Sequence, residues 1–137
     1  MELDSRYFPL PWSKENWFNH FLTQTKKNSI IFEEGIFAGF CSWEYLPLEK
    51  LCHIYKILII PDLRGKGLGQ LLLEKSLAEM NEFFPERNYC FLELESTNTG
   101  ARNLYEKFGF KFLEQVPHFY GAQRHGVRMC LDFRESN

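Results

Sequence analysis

The feature that most constrains this chain is a junction near its middle. A run of β-branched and aromatic residues from Leu51 to Ile60 meets Pro61-Asp62 and then Arg64-Gly65-Lys66-Gly67-Leu68-Gly69. The run has the composition of a central strand, and proline cannot continue a sheet ladder, so the strand ends there. From Leu68 the apolar residues Leu68, Leu71, Leu72, Leu77 and Met80 recur at helical spacing, with Glu74, Lys75, Glu79 and Glu82 on other faces. That periodicity predicts a helix over residues 68–83. Three glycines at alternate positions leave the backbone amides unobstructed beside the positive end of that helix, which suits an oxyanion such as a diphosphate. Arg64 and Lys66 add charge at the same point. Neither the Walker spacing nor the dinucleotide spacing is met. Taken by itself, the loop can also be read as a glycine-rich turn with solvated basic residues.

The rest of the chain supplies more strands and helices. Pro9-Leu10-Pro11-Trp12-Ser13 reads as a turn that caps a helix from Lys14 to about Leu22. After a break at Lys26-Lys27-Asn28, the stretches 29–33 and 36–43 flank Glu34-Gly35 as a hairpin. Residues 88–95 alternate Cys90, Leu92 and Leu94 on one face with Phe91, Glu93 and Glu95 on the other, which sets two carboxylates side by side. Asn98 can cap a helix from Thr99 to Lys107 with Ala101, Leu104 and Phe108 inward and Gly109 as its left-handed stop. Phe110 to Gln115 and Gly126 to Phe133 read as two last strands joined by a polar, aromatic loop. At least one strand-loop-helix-strand crossover gives a mixed central sheet flanked by helices, class α/β (α+β).

Composition narrows the function by exclusion. The 137 residues fit one domain, residues 1–137. The net charge of -2 gives no positive field toward nucleic acid or anionic lipid. No apolar run is long enough to span a membrane, and the acids at Glu2 and Asp4 do not suit a signal peptide, so the expected location is cytoplasmic. Cys41, Cys52, Cys90 and Cys130 are scattered through apolar stretches and read as core thiols. His20, His53, His118 and His125 form no ligand pair one helical turn apart, so no metal is expected.

Glycines at alternate positions after Arg64 resemble the acyl-CoA loop, Arg/Gln-x-x-Gly-x-Gly/Ala, of the GCN5-related N-acetyltransferase (GNAT) superfamily. The block Phe91-Leu92-Glu93-Leu94-Glu95-Ser96-Thr97-Asn98 through Leu104-Tyr105-Glu106-Lys107-Phe108-Gly109-Phe110 resembles the superfamily's second motif. The likeness covers nearly the whole chain and, through the Pro-Trp-Ser turn and the Glu-to-Tyr spacing, is greatest to the ribosomal-protein-alanine N-acetyltransferases of the RimI type. It implies the GNAT fold, acetyl-CoA as acyl donor, and acetylation of a protein N-terminal α-amine such as that of a ribosomal protein beginning with alanine. By the same resemblance Ile57, Leu58 and Ile59 would pair with the pantetheine arm. Arg64, Gly65, Lys66, Gly67, Leu68, Gly69 and Gln70 would hold the pyrophosphate, and Asn98 would bond the arm further along. Glu93 would be the general base and Tyr105 the general acid. Trp12 and Tyr120 would line the acceptor slot.

The residue types suit that chemistry. An α-amine, with a pKa of about 7.7 to 8.0, must lose a proton before it attacks a thioester, and a carboxylate can take it directly or through water. A phenol can protonate the departing thiolate. Other readings stand beside these roles: Glu93 as an ion-paired strand carboxylate, Glu95 as fallback base or solvated neighbour, Tyr105 as a packing aromatic, Asn98 as a cap alone. Only seven residues precede Phe8, so the chain is expected to lack most of the opening strand-helix unit, which leaves an edge of the sheet either bare or covered by a partner, a second copy in a homodimer being one such partner. His53 and Lys56 depart from the residue types usual in relatives, which leaves small amines and lysine side chains as alternative acceptors and a non-catalytic acyl-CoA-binding module as a third reading.

Overall fold

The computed structural model describes residues 25–135. The expected turn at Pro9 to Ser13, the helix from Lys14 to Leu22, the acceptor residue Trp12 and the length of the opening unit lie outside the described residues. Within them run strands β1 (Lys26–Glu33), β2 (Ile36–Leu46) and β3 (Leu51–Ile59), a 3-10 turn at Pro61–Leu63, helix α1 (Leu68–Phe83), β4 (Tyr89–Glu95), helix α2 (Thr99–Lys107), β5 (Lys111–Gly121) and β6 (Arg124–Asp132). The six strands form one mixed sheet in the order β1-β2-β3-β4-β6-β5. Only β3 and β4 are parallel, as the crossover through α1 requires.

Two local expectations shift. Lys26-Lys27-Asn28 is strand rather than a break: Lys26 pairs with Glu44, Lys27 with Trp43 and Asn28 with Ser42. The Asn28 carboxamide accepts from the Ser42 hydroxyl, so cross-strand partners outweigh local polarity. The aromatic loop before Gly126 is mostly hairpin, since β5 runs on to Gly121 and β6 starts at Arg124. Its register breaks between Val116 and Gly121, and His118 sits at φ 61°. Pro117 is tolerated there because β5 is an edge strand. The hairpin at Glu34-Gly35 forms as expected, with φ 50° and 80° at its two turn residues.

The core lies on one face of the sheet. Trp43, Ile54, Cys90, Leu92 and Met129 meet Leu72, Leu73 and Met80 of α1, with Ala101, Leu104 and Tyr105 of α2 packed against the same cluster. Along α1 the buried line is Leu68, Leu72, Ser76 and Met80, four residues apart, flanked by Leu73. Leu71, expected inward, is 53% exposed. Ser76 belongs in that line because its hydroxyl donates to the Leu72 carbonyl at 2.7 Å. α2 is tied to the start of α1 by Lys107, which donates to Gln70 Oε1 at 3.0 Å. Gly109, at φ 95°, ends α2 as expected. No helix among the described residues is long and apolar enough to cross a membrane.

Candidate active site

The site begins where β3 and β4 part. Their pairing runs only from Leu51 with Tyr89 to Ile54 with Leu92. The cause is local: between Ser42 paired with Lys56 and Trp43 paired with Ile54, Tyr55 is an extra residue, and a bulge bends the strand that carries it. Beyond this point β3 stays with β2 as far as Ile59, and β4 stays with β6 as far as Glu95. The edge of β3 facing β4 is therefore open. Ile60 N–H donates to the Ala38 carbonyl, and by antiparallel alternation Leu58 turns its backbone groups toward Phe40. Ile57 and Ile59 turn theirs to the opening. Gly39 makes the fit possible, since a Cβ there would lie 2.3 Å from the Leu58 carbonyl oxygen.

The glycine loop closes one end of this opening. Gly65 and Gly67 have φ 84° and 78°, the left-handed region that favours glycine, and a Cβ on either would meet nothing within 4 Å. Gly67 caps α1 with no side-chain hydrogen bond, and the helix has no acid in its first turn. Its first amides and their dipole are thus unneutralised toward open space, with Arg64 and Lys66 beside them. Arg64 Nε donates to the Ile59 carbonyl at 3.1 Å, which holds its charge against the open edge. An acyl-CoA fits this cradle: room before the glycines, donors for a diphosphate, and a strand edge for an amide-bearing arm.

Glu93 lies on the face of β4 away from the helices and is held at both oxygens. His53 Nε2 is 2.7 Å from Oε1 and Arg128 Nε 2.7 Å from Oε2, with the carboxylate side chain only 7% exposed. Arg128 stands directly opposite on β6 and also contacts Glu114 of β5. Burial pushes the Glu93 pKa up, but the hydrogen bonds from His53 and Arg128 outweigh it, and the net shift is down. Glu95, on the same face, is bound by Arg124, whose hydrogen bonds lower its pKa.

Tyr105 sits on the other side of the sheet, against Phe110 at 5.7 Å between ring centres. Burial, assisted by Cys41, Tyr120 and Cys90, raises its phenol to about 12. Tyr120 is raised by burial and then by the charges of Glu93 and Glu95, and its ring lies beside Gly126, the β6 residue that pairs with Glu95. Asn98 Oδ1 accepts from Ala101 N–H at 3.1 Å, the capping bond expected of it, which leaves its carboxamide N–H groups as donors. The thiols are poor nucleophiles: burial raises Cys41 to about 11 and Cys52 to about 12, and raises Cys90 well above its ordinary value. Among the described residues no group of three or more His, Cys, Asp or Glu could hold a metal.

The structure thus brings the glycine loop, Ile57 and Ile59 to one opening, with Glu93 on β4 one residue past the last pair with β3. His53, Arg128 and Glu114 were not candidates from the sequence. Their signal was the period-two alternation that puts them on one face with Glu93, but using it required the strand order.

Residues 1–110 match the family model described as acetyltransferase (GNAT) family. An N-alpha-acetyltransferase of Sulfurisphaera tokodaii is 35% identical over 83 residues, covering 60% of this chain and 49% of that protein. The chain thus spans about half the length of this archaeal relative. A [ribosomal protein bS18]-alanine N-acetyltransferase of Haemophilus influenzae is 28% identical over 137 residues, covering 94% of this chain and 87% of that one. The crystal structure of the ribosomal-protein-S18-alanine N-acetyltransferase from Escherichia coli superposes with a TM-score of 0.73 at 23% identity, over 95% of this chain and 83% of that one, which is a likeness of fold.

Proposed function

Because the chain belongs to the acetyltransferase (GNAT) family, we propose that its residues 1–137 form one domain that moves an acetyl group from acetyl-CoA to the N-terminal α-amine of a protein. The observation that carries the reading is the junction of the open β3 edge with the Glu93 cluster, because it sets acyl-donor and acceptor chemistry side by side. The relatives from Sulfurisphaera and Haemophilus, named for N-alpha and alanine N-acetylation, support an α-amine acceptor, and the Haemophilus name supports a ribosomal protein as its bearer.

When bound, acetyl-CoA supplies an acetyl thioester. Gly65, Gly67, Leu68, Gly69 and Gln70 hold its diphosphate with backbone amides, aided by Arg64 and Lys66, while Ile57 and Ile59 pair with its arm as an added strand would. The Asn98 carboxamide donates to the arm. Glu93 drives loss of the acceptor's proton, since its lowered pKa keeps it ionised at neutral pH. Tyr105, held at about 12, stays protonated and gives its proton to the departing sulfur. Tyr120 lines the acceptor side. The raised thiol pKa values favour direct attack over an acyl-cysteine.

The test is release of CoA thiol from acetyl-CoA in the presence of a peptide with a free N-terminal alanine, against the same peptide N-blocked. Turnover with the free peptide alone is expected. Turnover only with polyamines or lysine side chains would replace the acceptor, and acetyl-CoA binding without turnover on any amine would replace catalysis by binding.

A further inference from the structure

His53 occupies an unusual place in this fold. It lies on β3 one residue before the last residue paired with β4, at the mouth of the opening and on the face that carries Glu93. Its ring stacks on Phe91 at 4.0 Å between centres and 19° between planes, and it is braced by Tyr55 at 4.2 Å. Its side chain is 16% exposed, against 7% for Glu93.

The Glu93 cluster fixes which nitrogen of that ring carries the proton. Glu93 is ionised at neutral pH and is therefore an acceptor only, so Nε2 of His53 must be the donor to Oε1. A neutral imidazole then has its lone pair at Nδ1, and among the described residues no hydrogen bond engages that atom. Glu93 has no comparable capacity, because both of its oxygens are occupied at 2.7 Å and one of them faces a guanidinium. A carboxylate so stabilised is a weak base for an ammonium group, whereas the imidazole held by it keeps an unengaged lone pair.

We propose that His53 takes the proton from the acceptor amine and that Glu93 acts through it, as the group that orients the imidazole and stabilises its cationic form. This rests on the acetyl-transfer reading above. One N–H bond of the acceptor ammonium breaks as one forms at His53 Nδ1; the Nε2–H bond to Glu93 persists, and the proton then passes from Nδ1 to solvent water. The charged and titratable groups facing His53 are Glu93 of β4, Tyr55 of its own strand, Glu44 opposite it on β2, and, behind Glu93, Arg128 of β6 and Glu114 of β5. Three of these are carboxylates, one is a guanidinium and one a phenol.

Three variants and one spectrum test this. With peptide acceptor and saturating acetyl-CoA, His53→Ala should lower kcat by about 100-fold or more, leave acetyl-CoA affinity unchanged, and regain turnover in proportion to added neutral imidazole. His53→Gln keeps a donor to Glu93 but no base, and should be as slow as His53→Ala. Glu93→Gln should be slow as well and gain nothing from imidazole. Wild-type turnover in His53→Gln would overturn the proposal by showing that His53 only positions Glu93, as would a slow His53→Ala that imidazole does not rescue. Imidazole nitrogen shifts in the wild-type protein, assigned by their loss in His53→Gln, decide the proton placement without turnover: Nε2–H with a bare Nδ1 is expected, and Nδ1–H would overturn it. A wild-type protein that acetylates no amine would sink the acetyl-transfer reading, while those shifts still settled the tautomer.

Discussion

The two halves of β3 are built from similar residues and do opposite things. From Leu51 to Ile54 the strand is paired on both sides, and its side chains are fixed by β2 and β4 together. From Lys56 to Ile59 it keeps β2 and has no β4 partner. The Tyr55 bulge separates the halves. The paired half provides register, which is what sets His53 against Phe91 and within reach of Glu93. The open half provides vacant hydrogen-bonding capacity, which a sheet interior never has and which an exposed edge risks in aggregation. Here it is short, and the Arg64 side chain satisfies the Ile59 carbonyl at one end.

The largest effect should come from cutting the link at the paired half. Glu93→Gln is expected to lower kcat by about 100- to 10,000-fold, while the open half, untouched, binds acetyl-CoA with an unchanged dissociation constant. Equal losses in turnover and in acetyl-CoA binding would show that the halves are not separable. The reverse cut is Gly39→Ala. A methyl group 2.3 Å from the Leu58 carbonyl must push β3 away from β2. The expected cost is about 1–3 kcal/mol of stability, as for other overpacked sites, read as a lower midpoint in urea. Acetyl-CoA binding should weaken with it, and Gly100, which has no positive φ and where an added Cβ meets its nearest atom at 3.9 Å, makes a control. A smaller effect is expected from Gly67→Ala, which forces a left-handed residue at about 1–2 kcal/mol and should weaken binding of free CoA more than that of a pantetheine thioester lacking the diphosphate.

The same contrast explains what was legible in the sequence. The strand-loop-helix around Gly65, Gly67 and Gly69 was readable because its signals are local: composition, turn chemistry and a helical period. The face of β4 was readable too, since alternation alone separates Glu93 and Glu95 from Cys90, Leu92 and Leu94. The partners of Glu93 were not, because Arg128 comes opposite it only through β6 lying next to β4, and His53 only through the register of a parallel pair. Likewise Leu71 and Leu73 of α1 could not be told apart by hydrophobicity, and the sheet decided which of them is buried. The opening itself depends on a one-residue bulge at Tyr55 that no periodicity announces.

The smallest effect follows from the sign of the Glu93 shift. Its pKa is lowered from 4.5 in the folded chain because His53 and Arg128 bond the charged form more strongly than burial penalises it. A group with a depressed folded pKa contributes stability that is fully present above its unfolded value and is lost as pH falls through the folded one. The paired half of β3 should therefore weaken below about pH 4.5, in step with Glu93 protonation. In Glu93→Gln that part of the acid slope should disappear, leaving a flatter stability curve between roughly pH 5 and 3. Denaturant midpoints measured across that window for both proteins give the comparison. A slope unchanged by the substitution would mean that the ion pair with Arg128 contributes as little as an exposed one, and that the register of β3 and β4 is held by the apolar face alone.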